Sequence, residues 1–78
     1  MSSNRQSIIN VMGAVFALSS EEIPLDASPD LIESWDSVGH MNLILALEEE
    51  FGIRFPDDQI EMLISLDAIE LSVGALVG

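Results

Sequence analysis

The segment from Asp36 to Gly52 has the sequence signals of one complete amphipathic helix: a residue that caps its start, apolar residues at helical spacing, and a glycine at its end. Asp36 is a favourable N-cap residue, and Gly52 follows Phe51 where a helix commonly ends in the left-handed conformation. Between these two positions the apolar residues recur at helical spacing, which predicts a helix from Ser37 to Phe51. With 78 residues in total, a chain containing this helix can bury only one small core.

A second helix is predicted before this one. It is expected over residues 4 to 17, and Ser3 and Gln6 have the spacing of a capping box at its start. Its predicted core face consists of Ile8, Val11, Met12, Val15 and Leu18.

Residues 19 to 35 are predicted to form a long connection. Pro24 and Pro29 exclude a continuous helix here, although a short turn is expected to start at Ser28. The apolar residues expected to hold this connection against the core are Ile23, Leu25 and Leu31.

Two further helical segments are predicted after Gly52. Pro56 opens a short one that extends to about Met62, and Ser65 caps a last one. The last helix carries Leu66, Ile69, Val73 and Leu76 at helical spacing. The predicted fold is therefore all-α: a single domain over residues 1 to 78, with three main helices, one short helix and a long first loop.

The charge of the chain restricts its partners. Fourteen Asp and Glu residues face only Arg5 and Arg54, giving a formal net charge of −12. Such a chain repels nucleic acid and anionic membrane surfaces, so basic protein partners are expected, although solubility alone would also explain the charge. No apolar run approaches bilayer length and no signal peptide is seen, so a cytoplasmic monomer without membrane insertion is expected.

The predicted helix over residues 37 to 51 has apolar residues on two nearly opposite arcs. Leu43, Ala46 and Leu47 form one arc, which we expect to face the core. A chain this short cannot surround a helix, so the other arc is expected to be an exposed docking surface. The alternative is that this second arc packs beneath the long loop. We call the second arc the apolar stripe, and it consists of Val38, Met41 and Leu45.

Ser37 lies at the first position of this helix, where free backbone N–H groups and the helix dipole favour a bound anion. It is therefore our candidate modification site, although an isolated Asp-Ser pair would more commonly be an ordinary helix start. His40 does not convert Ser37 into a hydrolase site, because no oxyanion donors or third orienting residue are evident. One histidine and no cysteine leave no zinc site, and the acidic residues lack the spacing of a calcium loop, so no metal is predicted.

The sequence around this serine resembles the acyl carrier protein family. The resemblance rests on Asp-Ser-Val at positions 36 to 38, followed by Leu-Ile-Leu-Ala-Leu-Glu-Glu-Glu-Phe-Gly-Ile at positions 43 to 53. In this family the serine is esterified by 4′-phosphopantetheine, which the resemblance places on Ser37. It also implies a carrier rather than an enzyme, holding an acyl intermediate as a thioester in a biosynthetic pathway such as that of fatty acids or polyketides.

The resemblance further implies docking positions and partners. The docking positions carried over are Asp36, Val38, Met41, Leu45, Glu48 and Glu49. The implied partners are a phosphopantetheinyl transferase, an acyl- or aminoacyl-loading ligase, and downstream transferases with basic docking patches.

Two departures from the family pattern favour a carrier dedicated to one pathway. Gly39 and Asn42 stand where fatty-acid carriers often have acidic residues, and the interior positions Phe55, Ile60 and Ile69 are bulky. Two alternatives stay open: an aminoacyl or peptidyl carrier of a synthetase pathway, and an unmodified adaptor that uses the same helix only for docking.

Overall fold

A computed structural model describes residues 4 to 77, which form four α-helices and no strand. Helix α1 spans Asn4–Phe16, α2 spans Ser37–Phe51, α3 spans Asp57–Ile60 and α4 spans Leu66–Val77. The all-α prediction of three main helices and one short helix is confirmed. Ser3, which was predicted to cap the first helix, lies outside the described residues.

The ends of the helices follow local signals. Helix α1 ends where Ala17 takes the left-handed conformation, with φ at 58°, and the Leu18 amide donates to the Gly13 carbonyl across 2.9 Å. Gly52 ends α2 in the same way, with φ at 63°. At the start of α4 the Ser65 hydroxyl accepts the Ala68 amide across 3.1 Å, as its predicted capping role requires. Helix α3 is shorter than predicted: it ends at Ile60, whereas the predicted end was at about Met62.

The connection between α1 and α2 begins with a 3₁₀ turn at Ser20–Glu22, which the sequence did not indicate. The amide and the hydroxyl of Ser19 both donate to Oε1 of Glu22, and these bonds lower the pKa of that carboxyl. The predicted turn at Ser28 is present, since the Ile32 amide donates to the Ser28 carbonyl across 3.1 Å.

The prediction of which residues hold this connection to the core was partly wrong. Ile23 is buried as expected, but Leu25 and Leu31 are 73% and 55% exposed. The buried positions are instead Ala27, Ile32 and Trp35. The turns reverse the chain every few residues, so the helical and strand periodicities used for sequence patterns do not apply here.

The core lies where α1, α2 and α4 meet, and the three contribute their buried faces to one cluster. In α1 the predicted core residues Ile8 and Met12 are fully buried, and Ile9 and Phe16 are buried as well. The other predicted residues, Val11, Val15 and, just beyond the helix, Leu18, are partly buried against the core. Leu76 of α4 is 40% exposed and lies outside the core. None of the helices formed by residues 4 to 77 combines the length and apolar character that crossing a bilayer requires.

Arg5 joins three parts of this small fold. Its Nη1 atom lies 2.6 Å from Glu70 and 3.1 Å from Asp67 of α4, and its Nη2 atom donates to the Leu25 carbonyl across 2.9 Å. Hydrogen bonds to the two carboxylates raise the pKa of Arg5. The guanidinium group thus links α1 to α4 and to the long connection.

Candidate functional site

The start of α2 is held by Asp36. Its backbone is extended, and its Oδ1 atom accepts the Gly39 amide across 2.8 Å, which is the geometry of an N-cap. Its carbonyl accepts the His40 amide across 2.7 Å and so closes the first helical turn. Ser37 is the first residue of the helix, and it is exposed.

A solvent-open cleft of about 330 Å³ lies beside Ser37. Its lining is largely apolar or aromatic and includes one acidic residue, Asp36. The lining residues are Pro29, Trp35, Asp36, Ser37, His40 and Ile64. Ser37 therefore lines a cleft between the long connection, the start of α2 and the segment after α3.

The apolar stripe lies on the surface. Val38, Met41 and Leu45 are 70%, 47% and 57% exposed, whereas Leu43 and Leu47 of the same helix are fully buried. The alternative in which the long connection covers the stripe is thus excluded by these exposures. Large apolar side chains exposed together on one surface are typical of protein docking surfaces.

The two acidic residues predicted for docking, Glu48 and Glu49, differ in burial and hydrogen bonding. Glu48 is half-buried, and its Oε2 atom accepts the Phe55 amide across 2.9 Å. Glu49 is exposed, and both glutamates line a second cleft with Leu45 and Arg54. Glu48 therefore also supports the backbone after α2, a contact that its place in an acidic run could not reveal.

His40 makes two contacts that leave it no role as a base for Ser37. Trp35 donates its indole N–H to the Nδ1 atom of His40 across 2.9 Å, and the Nε2 atom lies 2.7 Å from the Ile60 carbonyl. The neutral ring therefore has no free lone pair with which to take a proton from the serine. Among residues 4 to 77, no group of three histidine or acidic side chains is placed to hold a metal ion.

Gly39 is a further site residue, and its role was not predicted. It is buried on the face of α2 against the long connection. A β-carbon added there would overlap the carbonyl oxygen of Ser34 and lie 3.3 Å from a ring carbon of Phe16. The connection thus approaches the helix backbone directly, and a glycine inside a helix is the signal that could have indicated this contact.

We expect Gly39→Ala to lower the free energy of unfolding by about 2 kcal/mol. Overpacking costs about 1 to 3 kcal/mol, and overlap with a backbone that cannot rotate away places this site at the upper end, about 3 kcal/mol. Subtracting the gain of about 1 kcal/mol in helix propensity leaves a net loss of about 2 kcal/mol. The matched control is Gly74→Ala in α4, where the added carbon meets nothing within 4 Å and should stabilise the protein. Urea denaturation measures both, and equal stability of Gly39→Ala and wild type would contradict the close contact.

Comparison with known sequences and comparison with solved structures find the same kind of protein. No family model matches this sequence. An acyl carrier protein of Helicobacter acinonychis (strain Sheeba) is 35% identical over 57 residues, covering 64% of this chain and 73% of the relative. The solution NMR structure of holo acyl carrier protein from Geobacter metallireducens matches with a TM-score of 0.85 at 25% identity, covering 97% of this chain and 87% of that one.

Proposed function

This chain belongs to the acyl carrier protein family, and from that premise we propose that Ser37 carries its 4′-phosphopantetheine group. The group, when bound, supplies a flexible arm ending in a thiol that holds an acyl cargo as a thioester. The chain itself is then a carrier and a substrate of other enzymes, without a catalytic residue of its own.

The observation that carries this proposal is the exposed Ser37 at the first position of α2. Asp36 caps the Gly39 amide, so the amides of Ser37 and Val38 remain among the helix-start groups that have no partner within the helix. A phosphodiester on the Ser37 oxygen would lie close to these N–H groups and to the positive end of the helix dipole. The exposed serine is therefore open to modification, and the helix start would stabilise the negative charge of the group.

The apolar stripe is proposed as the surface on which partner enzymes dock. Val38 follows Ser37 directly, and the stripe continues along the same helix to Leu45, with Glu48 and Glu49 at its far end. A partner with an apolar contact surface and a basic edge would match it, as expected of a phosphopantetheinyl transferase, a loading ligase and later transferases. Glu49 is the freer of the two charges, because Glu48 already accepts the Phe55 amide.

We place the carrier in a dedicated biosynthetic pathway with an acyl cargo. The packing at Gly39 supports this, because the close contact with the Ser34 carbonyl excludes an acidic side chain at a position where fatty-acid carriers often have one. An aminoacyl or peptidyl cargo is the second candidate, and it would require the same modified serine.

Intact mass spectrometry tests the proposal against the unmodified adaptor. The purified chain is incubated with coenzyme A and a broad-specificity phosphopantetheinyl transferase. A carrier gains the mass of one phosphopantetheine group per chain, and the thiol it brings reacts with a thiol reagent, although the chain has no cysteine. An unchanged mass, with a known carrier protein modified in parallel, would favour the adaptor.

We predict that an octanoyl cargo will stabilise the protein little. The interior that would have to receive it holds bulky side chains: Phe55, Leu63 and Ile69 are almost fully buried in one cluster with Leu47, and the partly buried Ile60 packs against it. Burial of a CH₂ group contributes about 0.8 kcal/mol, but forcing methylene groups into a filled core costs about 1 to 3 kcal/mol. Octanoyl-loaded protein should therefore melt within a few degrees of the unloaded holo form.

The matched control is the same protein loaded with an acetyl group. Both samples are compared by thermal denaturation and by the methyl chemical shifts of Leu47, Ile60 and Leu63. A strong stabilisation by octanoyl alone, with shifts at these three residues, would indicate that the core opens for long chains and would favour a fatty-acyl cargo.

A further inference from the structure

The contacts of His40 determine which of its nitrogens carries the proton. An indole N–H can only donate, so the Nδ1 atom facing Trp35 across 2.9 Å must accept. A backbone carbonyl can only accept, so the Nε2 atom 2.7 Å from the Ile60 carbonyl must carry the hydrogen. Both bonds exist together only in the neutral ring with its proton on Nε2.

These two bonds join three parts of the molecule around Ser37. Trp35 belongs to the long connection and immediately precedes the N-cap, His40 lies in the first turn of α2, and Ile60 is the last residue of α3. Trp35 is 3% exposed and packs on Phe16 with ring centroids 5.6 Å apart. His40 and Trp35 also line the cleft beside Ser37.

A second proton on His40 would break this arrangement. It would place an N–H group at Nδ1 opposite the indole N–H of Trp35, so that two donors face each other. The Trp35 side chain is buried, and a buried donor that loses its acceptor is destabilising. Because Trp35 adjoins the N-cap, its release would loosen the backbone that presents Ser37.

We propose that the neutral imidazole of His40 is a latch that holds the start of α2 between the long connection and α3, and that protonation of this ring opens the latch. His40 is thus a positioning residue for Ser37, and acid conditions weaken the presentation of the serine to its transferase. The statement about Ser37 rests on the proposed function, whereas the latch itself does not.

The charged groups on the elements that contact His40 are exposed carboxylates. Asp36 belongs to the start of the same helix, Asp30 and Glu33 to the long connection, and Asp57, Asp58 and Glu61 to α3 and the residue after it. A pH effect must therefore be assigned to the imidazole by a variant that lacks only the ring.

The first test uses the unmodified protein, in which His40 is the sole histidine and Trp35 the sole tryptophan. Nitrogen NMR should identify the Nε2–H tautomer at about pH 8, and the indole N–H should be protected from hydrogen exchange. Between about pH 8 and pH 5, where imidazole side chains titrate, its protection factor should fall by on the order of tenfold. The Nδ1–H tautomer, or protection that is the same at both pH values, would overturn the proposal.

His40→Gln is the matched control, because an amide side chain keeps a donor and an acceptor but does not titrate. Its indole protection should stay constant over the same pH range. If this variant does not fold, Trp35→Phe provides the second test, since it removes the indole donor. Acidification should then raise the unfolding equilibrium constant less in Trp35→Phe than in wild type, and an equal rise would overturn the latch.

The second test measures phosphopantetheine transfer to wild type and to His40→Gln at the same two pH values. The ratio of their kcat/KM values cancels the pH dependence of the transferase, and it should fall severalfold in acid. A constant ratio would overturn the effect on Ser37 while leaving the carrier function intact. Absence of modification at either pH would instead overturn the proposed function, and the indole measurement would still decide whether the latch exists.

Discussion

Ser37→Ala should lose the whole mass increase that wild-type protein shows with coenzyme A and a phosphopantetheinyl transferase. The substitution removes the only atom that the proposal makes available for the new bond, the Ser37 hydroxyl oxygen. The fold should be kept, because Asp36 and not Ser37 caps the helix, and alanine is a favourable helix residue. Circular dichroism and a melting curve check the fold, and intact mass spectrometry reads the modification.

Ser34→Ala is the matched control for this prediction. Ser34 is also exposed and lies three positions earlier, but it stands in the connection and not at a helix start. This variant should be modified as completely as wild type. Modification of folded Ser37→Ala, or its loss in folded Ser34→Ala, would contradict the assignment.

Met41→Glu and Leu43→Glu should have opposite effects, although the two positions are only two residues apart on α2. Met41 is 47% exposed in the apolar stripe, whereas Leu43 is fully buried in the core. A charge at position 43 would cost several kcal/mol, which is comparable to the whole stability of a small domain. Leu43→Glu should therefore unfold the protein, while Met41→Glu should change its melting temperature little.

Met41→Glu should still slow modification, because a charge in the apolar stripe weakens contact with the transferase. The expected signature is a raised KM with normal helicity, measured on folded protein. Unfolding of Met41→Glu would mean that the stripe is core, and unchanged kinetics would mean that the transferase docks elsewhere.

The elements predicted best from the sequence are helices whose ends are marked by a capping residue or a glycine. Helix α2 has the bounds that Asp36 and Gly52 indicated, and α4 begins after its predicted cap Ser65. Exposure of the stripe was also predictable, because a small domain cannot cover a helix on every side. These inferences needed only helical spacing and the size of the chain.

The features that could not be predicted depend on contacts between segments distant in sequence or without a regular repeat. The close approach of the Ser34 carbonyl to Gly39 and the bond from Phe55 to Glu48 arise from tertiary packing. In the same way, His40 was recognised as a poor base, but its place between Trp35 and Ile60 follows only from the position of α3. The type of a residue and its position in a sequence pattern do not indicate which distant residue it will contact.

Fragmentation mass spectrometry of the modified protein determines which residue carries the phosphopantetheine arm. Peptides covering residues 28 to 37 contain three serines, Ser28, Ser34 and Ser37, in a loop turn, a connection and a helix start. We expect fragment ions that place one phosphopantetheine group on Ser37 and leave Ser28 and Ser34 unchanged. A group located on either of the other two, or on a residue outside this segment, would contradict the assignment to Ser37.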